Sequence, residues 1–213
     1  HLRVTAKQNG KEIEVKAEVV VNSAGRVPSI DELELEKGKV KFTKKGITVN
    51  KHLQSPSNKS VYACGDVSDS EGLPLTPLSS QEARIVAANI LDKDRDKSID
   101  FPPQPSVVFT IPNLASVGLN EKEAKEKGYD FVVEQKLVPK WFNAKRINSD
   151  FYAYKTIIDK ERGLVLGAHL VGPDAGEMIN MFVMAMCGKL PCSTIKGMIF
   201  AYPTWGNDIK GMV

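Results

Sequence analysis

The sequence predicts a chain in two parts: an α/β segment of short strands around one amphipathic helix, then a strand-rich α+β unit. Three observations carry this reading. Short apolar runs punctuated by glycine and proline fill the first half and lead into a single helical period over 80–91. Charged residues from Asp92 to Asp100, then prolines at 102, 103 and 105, give the composition of a domain boundary, where few contacts need cross. Beyond it, strand patterns outnumber helical ones, with one nearly all-apolar helix over 176–187.

The elements follow in order. Leu2, Val4 and Ala6, then Ile13, Val15 and Ala17, alternate with polar residues around Asn9-Gly10, a strong hairpin turn signal. The second strand is expected to run on into Val19-Val20-Val21, an apolar run suited to burial, and to end before Gly25 and Pro28. A lone hairpin is unstable. Residues 1–22 are therefore expected to belong to a sheet with strands upstream, and a chain opening at His1 to be part of something longer. Ile47-Thr48-Val49 and Val61-Tyr62-Ala63-Cys64 read as short strands, the second stopped by Gly65-Asp66. Ser68 to Pro77 reads as a loop. Ser79 and Glu82 match a capping box ahead of Ala83, Val86, Ala87 and Ile90.

In the second half, Val107-Val108-Phe109 and Ala115-Ser116-Val117 read as strands. Asn120 and Glu123 cap a short helix that Gly128 ends. Strands over 131–138, 152–158 and 164–171 follow, the last two joined by a turn ending in Gly163. Helices over 176–187 and 193–198, on one side of these strands, complete the α+β reading.

Composition narrows the function. The 213 residues carry a net charge of +3, which excludes a strongly basic nucleic-acid binder and an acidic disordered tail. Three cysteines are too few for a disulfide scaffold and fit a reducing compartment such as the cytoplasm. No apolar run is long enough to span a membrane.

Several residues can carry chemistry. Asp66 stands at the end of an expected buried strand, where α/β sheets bind ligands, and can accept from a sugar or polyol hydroxyl or simply cap a turn. Gly65 beside it removes a side chain that would hold such a ligand off. Gly25-Arg26 repeats the pattern with a cation, suited to a phosphate or to the bare surface. Leu73 to Ser80, including Leu75, Thr76 and Pro77, leads into a helix N-terminus, which attracts anions and carbonyls when it is more than a plain junction. Cys187 and Cys192 read as buried, inert thiols rather than a redox pair, because the end of a helix disfavours a thiolate. His1, His52 and His169 lack metal-site spacing, and His169 reads as a half-buried structural residue. The helix over 176–187 carries Met178, Met181, Met184 and Met186 and is apolar nearly all round. It is expected to be covered on more than one side, by its own sheet and by another subunit. Tyr202 and Asn207 flank Pro203-Thr204-Trp205-Gly206 and can donate or orient a hydrogen bond, or serve only in aromatic packing.

Taken together, these segments resemble the C-terminal part of the class I pyridine nucleotide–disulfide oxidoreductases, the group of dihydrolipoamide dehydrogenase, glutathione reductase and mercuric reductase. The resemblance rests on Ser23 to Pro28, Val61 to Val67, Leu75-Thr76-Pro77 and the run from Leu166 to Ile179, in that order and spacing. It implies an α/β fragment of an FAD/NAD(P)-binding fold followed by an α+β interface domain that forms a homodimer. The implied boundaries are 1–22 for the end of a nicotinamide-binding domain, 23–98 for FAD-binding sequence and 99–213 for the interface domain. Asp66 then contacts the FAD ribityl chain, Gly25 and Arg26 lie at the junction of the two nucleotide domains, and Leu75 to Pro77 approach the flavin pyrimidine end. The family's redox dithiol, its FAD pyrophosphate loop and a Gly-x-Gly-x-x-Gly fingerprint are not found in this sequence. FAD and NAD(P)H are therefore expected in a full-length protein and neither on this chain alone. The family's closing His and Glu correspond to Tyr202 and Asn207, and a phenol is a poor general base at neutral pH. That departure points from disulfide reduction toward a quinone, a metal ion or oxygen as acceptor.

Overall fold

A computed structural model describes residues 1–213 except 92, 93 and 95. The chain opens with an antiparallel hairpin, β1 (Leu2–Gln8) and β2 (Lys11–Ala17), turned by Asn9 and Gly10 with positive φ at both, as the sequence predicts. The register places Leu2, Val4 and Ala6 opposite Ala17, Val15 and Ile13, so the apolar side chains share one face. The second strand stops at Ala17 and does not continue: Val19, Val20 and Val21 are exposed and outside any strand. An apolar run alone is not a burial signal when no sheet lies beside it.

A small sheet follows. β3 (Phe42–Thr43) pairs antiparallel with β4 (Gly46–Thr48), and β4 pairs parallel with β5 (Ser68–Asp69). The expected strand over 61–64 is reduced to a single bridge between Gln54 and Tyr62. Ala63 nevertheless lies in a small core with Ile30, Leu35, Val40 and Ile47. Helix α1 (Thr76–Leu91) starts four residues before the capping box suggests, so Thr76 and Pro77 lie in its first turn, where proline is favoured. Ser79 consequently caps nothing, and its hydroxyl donates to the Leu75 carbonyl at 3.2 Å. The charged stretch expected to cross few contacts partly lies outside the described residues. Its end folds back on α1: Asn89 bonds both the N–H and the carbonyl of Lys97, and Ile99 is buried with Leu53 and Leu78.

The second half is a five-stranded antiparallel sheet in the order β6 (Ser106–Val108), β7 (Asn113–Gly118), β10 (Val165–Gly172), β9 (Ala153–Asp159), β8 (Phe131–Leu137). Helix α2 (Glu121–Glu126), β8 (Phe131–Leu137), α3 (Phe142–Arg146), β9 (Ala153–Asp159) and β10 (Val165–Gly172) follow β7 in sequence. The predicted Asn120–Glu123 capping box is present in both directions, at 3.0 and 2.9 Å. Helices α4 (Ala175–Cys187), α5 (Cys192–Gly197) and α6 (Trp205–Asp208) complete the chain, ending in a tight turn over Ile209–Gly211.

Helices are not confined to one side. α4 packs Met178, Ile179, Phe182 and Ala185 against one face with Tyr152, Tyr154 and Leu170. On the other, Ala124 of α2 meets Ile157 and Leu166. The predicted cover of α4 is incomplete within one chain, because Met184 is 70% exposed. Tyr154 donates to Gly211 O at 2.8 Å and the Thr156 hydroxyl to Met212 O, so the final residues enter the core beside β9.

Candidate functional site

A cavity of about 780 Å³ lies in the first half. Its wall is the continuous segment from Gly65 to Pro74, faced by Arg26 to Ser29, Lys44, Lys45 and Glu82. The segment begins with a tight turn over Gly65–Val67, in which Gly65 takes φ +72°. A Cβ at Gly65 would meet the Ser79 hydroxyl at 3.2 Å. The glycine is therefore needed for the turn and for packing on α1.

Asp66, half-exposed at this turn, faces Arg26 at 3.2 Å. The structure thus brings together Arg26, Gly65 and Asp66 from two segments far apart in sequence. Gly25 precedes Arg26 with φ +97° and is exposed. Leu75, Thr76 and Pro77 follow directly on the cavity wall, which ends at Pro74. Lys44 and Lys45 set positive charge at the lip, and Asp69 accepts from the Thr43 hydroxyl at 2.8 Å.

Glu82 is the residue the sequence reading misplaces. It is 2% exposed and accepts from the Gly65 N–H at 2.6 Å and the Ser70 hydroxyl at 2.8 Å, where the capping box has it bonding its own helix start. The available signal was periodicity: Leu78, Glu82 and Asn89 fall on one inward face of α1. Its negative charge, after burial itself, raises the Cys64 thiol above its ordinary pKa.

Tyr202 and Asn207 lie in the second half, away from the cavity lining. Tyr202 is 66% exposed, and its ring lies 5.6 Å from that of Phe142. Asn207 sits in α6 and donates its backbone N–H to Thr204. Below them lies a network absent from the sequence reading. Asn143 donates to Thr204 O at 2.8 Å and to both Asp208 oxygens at 3.2 Å, and the Tyr152 hydroxyl donates to Asp208 at 3.3 Å. Burial pushes Asp208 above the usual carboxylate range, and burial with the nearby Asp208 charge pushes the Tyr152 phenol up strongly. Cys192 is buried with its thiol raised by desolvation, whereas Cys187 is exposed, contrary to its expected burial. His169 is half-buried and its Nε2 lies 3.2 Å from Leu119 O, a structural role as predicted. Among the described residues no group of three or more metal-ligating side chains occurs.

The family models decide the kinship. The pyridine nucleotide-disulphide oxidoreductase model matches residues 2–83, and the dimerisation domain of the same family matches residues 104–213. The chain belongs to the pyridine nucleotide-disulphide oxidoreductase family. Its architecture is accordingly an α/β FAD/NAD-binding region followed by a separate α+β dimerisation domain. The resemblance drawn from the sequence, confined to the C-terminal part of the family, is corrected by these matches: both models are represented, and together they cover almost the whole chain.

Among relatives, a 19.7 kDa protein of the mercuric resistance operon of Staphylococcus aureus is 46% identical over 181 residues, 85% of this chain and 100% of that protein. Dihydrolipoyl dehydrogenase of Bacillus subtilis is 36% identical over 204 residues, 96% of this chain and 43% of that enzyme. A copper(II) complex of the HOCl-induced flavoprotein disulfide reductase RclA from Escherichia coli superposes with a TM-score of 0.83 at 28% identity, over 99% of this chain and 48% of that one. The chain thus spans less than half of two of these relatives and the whole of the third. Among the described residues no helix is long and apolar enough to cross a membrane.

Proposed function

We propose that the chain completes the flavin site and forms the homodimer of an FAD-dependent NAD(P)H oxidoreductase, in which hydride passes from NAD(P)H through FAD to a disulfide or another acceptor. The observation that carries this is Asp66 beside Arg26 on the wall of the large cavity. The lining fits the cofactor's chemistry. A half-exposed carboxylate can accept from the hydroxyls of a neutral polyol, and Lys44, Lys45 and Arg26 suit an anionic portion. FAD, when bound, supplies the two-electron chemistry.

The chain's own residues bind and orient. Asp66 accepts from the ribityl chain, Gly65 makes the turn that presents it, and Gly25-Arg26 forms the junction beside it. Leu75, Thr76 and Pro77 offer backbone toward the pyrimidine end of the flavin. Residues 1–22 close a nicotinamide-binding domain, 23–98 complete the FAD-binding domain and 99–213 form the dimer. Tyr202, with Asn207 near it, approaches the partner subunit's flavin side and donates a hydrogen bond. A phenol there favours a quinone, a metal ion or oxygen over a disulfide as acceptor. Three free thiols fit a cytoplasmic setting.

The test joins this chain to the FAD-binding portion of the Bacillus dihydrolipoyl dehydrogenase that the match does not cover. The expected product is yellow, and Asp66→Ala lowers its flavin affinity about tenfold by removing a charged acceptor. A colourless chimera, or stoichiometric FAD on the chain alone, overturns the proposal. A second reading, a catalytically inert homodimerisation module, is favoured by the staphylococcal relative, which is short and matched over its full length. NAD(P)H oxidation by the yellow chimera decides against it.

A further inference from the structure

Glu82 stands out as a buried charge that binding at Asp66 does not itself require. Among the described residues none of its hydrogen-bond donors is charged: they are the Gly65 N–H at 2.6 Å, the Ser70 hydroxyl at 2.8 Å and, more weakly, the Ser68 hydroxyl at 3.4 Å. A carboxylate so placed is costly unless its oxygens are filled, and here they are filled from the cavity wall and not from its own helix. The two close contacts fall near either end of the segment Gly65 to Gly72, all of which lines the cavity. Gly72 completes the enclosure, because a Cβ there would meet Leu78, Phe101 and Glu82. The wall is thus folded around one side chain projecting from α1, whose register is fixed by the burial of Leu78 and Asn89 on the same face.

We propose that Glu82 is the positioning residue of this site: it clamps Gly65 and Ser70 onto α1 and thereby sets where Asp66 stands in the cavity. The inference rests on the flavin reading for what Asp66 binds, but not for how Asp66 is held. Two features make reach the deciding property. Gly65 has little room to move toward α1, since a Cβ built on it would already stand 3.2 Å from the Ser79 hydroxyl. Ser70 is held from the opposite side of the same carboxylate. A side chain one methylene shorter cannot meet both, whereas glutamine spans the same distance and can still accept from Gly65.

The test is amide hydrogen exchange on the purified chain labelled with nitrogen-15 glycine. Gly65 and Gly72 report on the wall, and Gly118, Gly167 and Gly172 of the five-stranded sheet serve as internal reference. Glu82→Ala and Glu82→Asp are expected to speed exchange at Gly65 about tenfold or more, the reference glycines staying within about twofold. Glu82→Gln is expected to remain within about threefold of the unaltered chain at Gly65. Should Glu82→Ala fail to fold, Glu82→Asp carries the comparison. An unmoved Gly65 in Glu82→Asp, reference glycines that move with it, or failure of glutamine to rescue overturns the proposal. Exchange at Gly65 does not depend on flavin, so a colourless chimera with these rates unchanged strikes the flavin assignment alone.

Discussion

Asp159 and Asp208 are carboxylates of one sheet-and-helix unit with opposite responses to acid. Asp159 accepts from Arg162 Nε at 2.8 Å and from the N–H groups of Glu161 and Arg162, which hold it below the usual carboxylate range. Its contribution to stability is present at neutral pH and lost as pH falls through that lowered value. Asp208 is raised by burial, against the opposing pull of Asn143 and Tyr152. Its contribution is complete below its unfolded pKa and lost as pH rises through the raised one. Asp208→Asn is therefore expected to leave stability at pH 7 no lower and to flatten its fall as pH rises above about 4. Denaturant unfolding across that range checks it, and an unchanged slope counts against the assignment. The buried Asn143 Oδ1, which has no hydrogen-bond partner among the described residues, gives the new amide a place to donate. None of this network was legible in the sequence. Asp208 lies 65 residues from Asn143 and 56 from Tyr152, and no local pattern announces a tertiary hydrogen bond.

Elements with a strong local signal were legible. The Asn9-Gly10 hairpin, the Asn120–Glu123 capping box and the pairing of β9 with β10 all rest on neighbours in sequence, and the structure has each. Elements defined by distant partners were not. The segment over 61–64 has strand composition but meets only one bridging residue, and α1 starts earlier because Pro77 favours a first turn over a loop. The C-terminal tail belongs to this second kind. Met212 and Val213 are buried, and two β9 side chains, Tyr154 and Thr156, donate to the carbonyls of Gly211 and Met212. Deleting both residues is expected to cost about 4 kcal/mol from lost apolar burial alone. Chemical denaturation measures it; a loss under about 1 kcal/mol shows that the tail only rests on the core.

For the molecule as a whole, the dimerisation domain leaves large apolar side chains in solvent, among them Phe109, Ile111, Met184 and Ile199. A homodimer that covers α4 predicts that the chain sediments as a dimer and that Met184→Asp shifts it to monomer with its fold intact. Circular dichroism alongside sedimentation separates this from unfolding. A monomeric parent chain, or a variant that dimerises as before, removes α4 from the interface. The cavity was legible only in pieces. Arg26 and Asp66 were found by their glycine neighbours, while Glu82, which unites the wall, was read as a cap because its spacing from Ser79 fits both roles.

The opening hairpin has two unlike faces. Arg3, Thr5 and Lys7 lie opposite Lys16, Glu14 and Glu12 on one, while the other is aliphatic up to the Gln8–Lys11 pair beside the turn, with Leu2, Ile13 and Val15 open to water. Two such ribbons laid dry side to dry side would expel solvent from all of these groups together, with their outer strands still free to recruit more. Concentrated solutions should then scatter light well before any loss of fold, and a single lysine in place of Val15 should clear them.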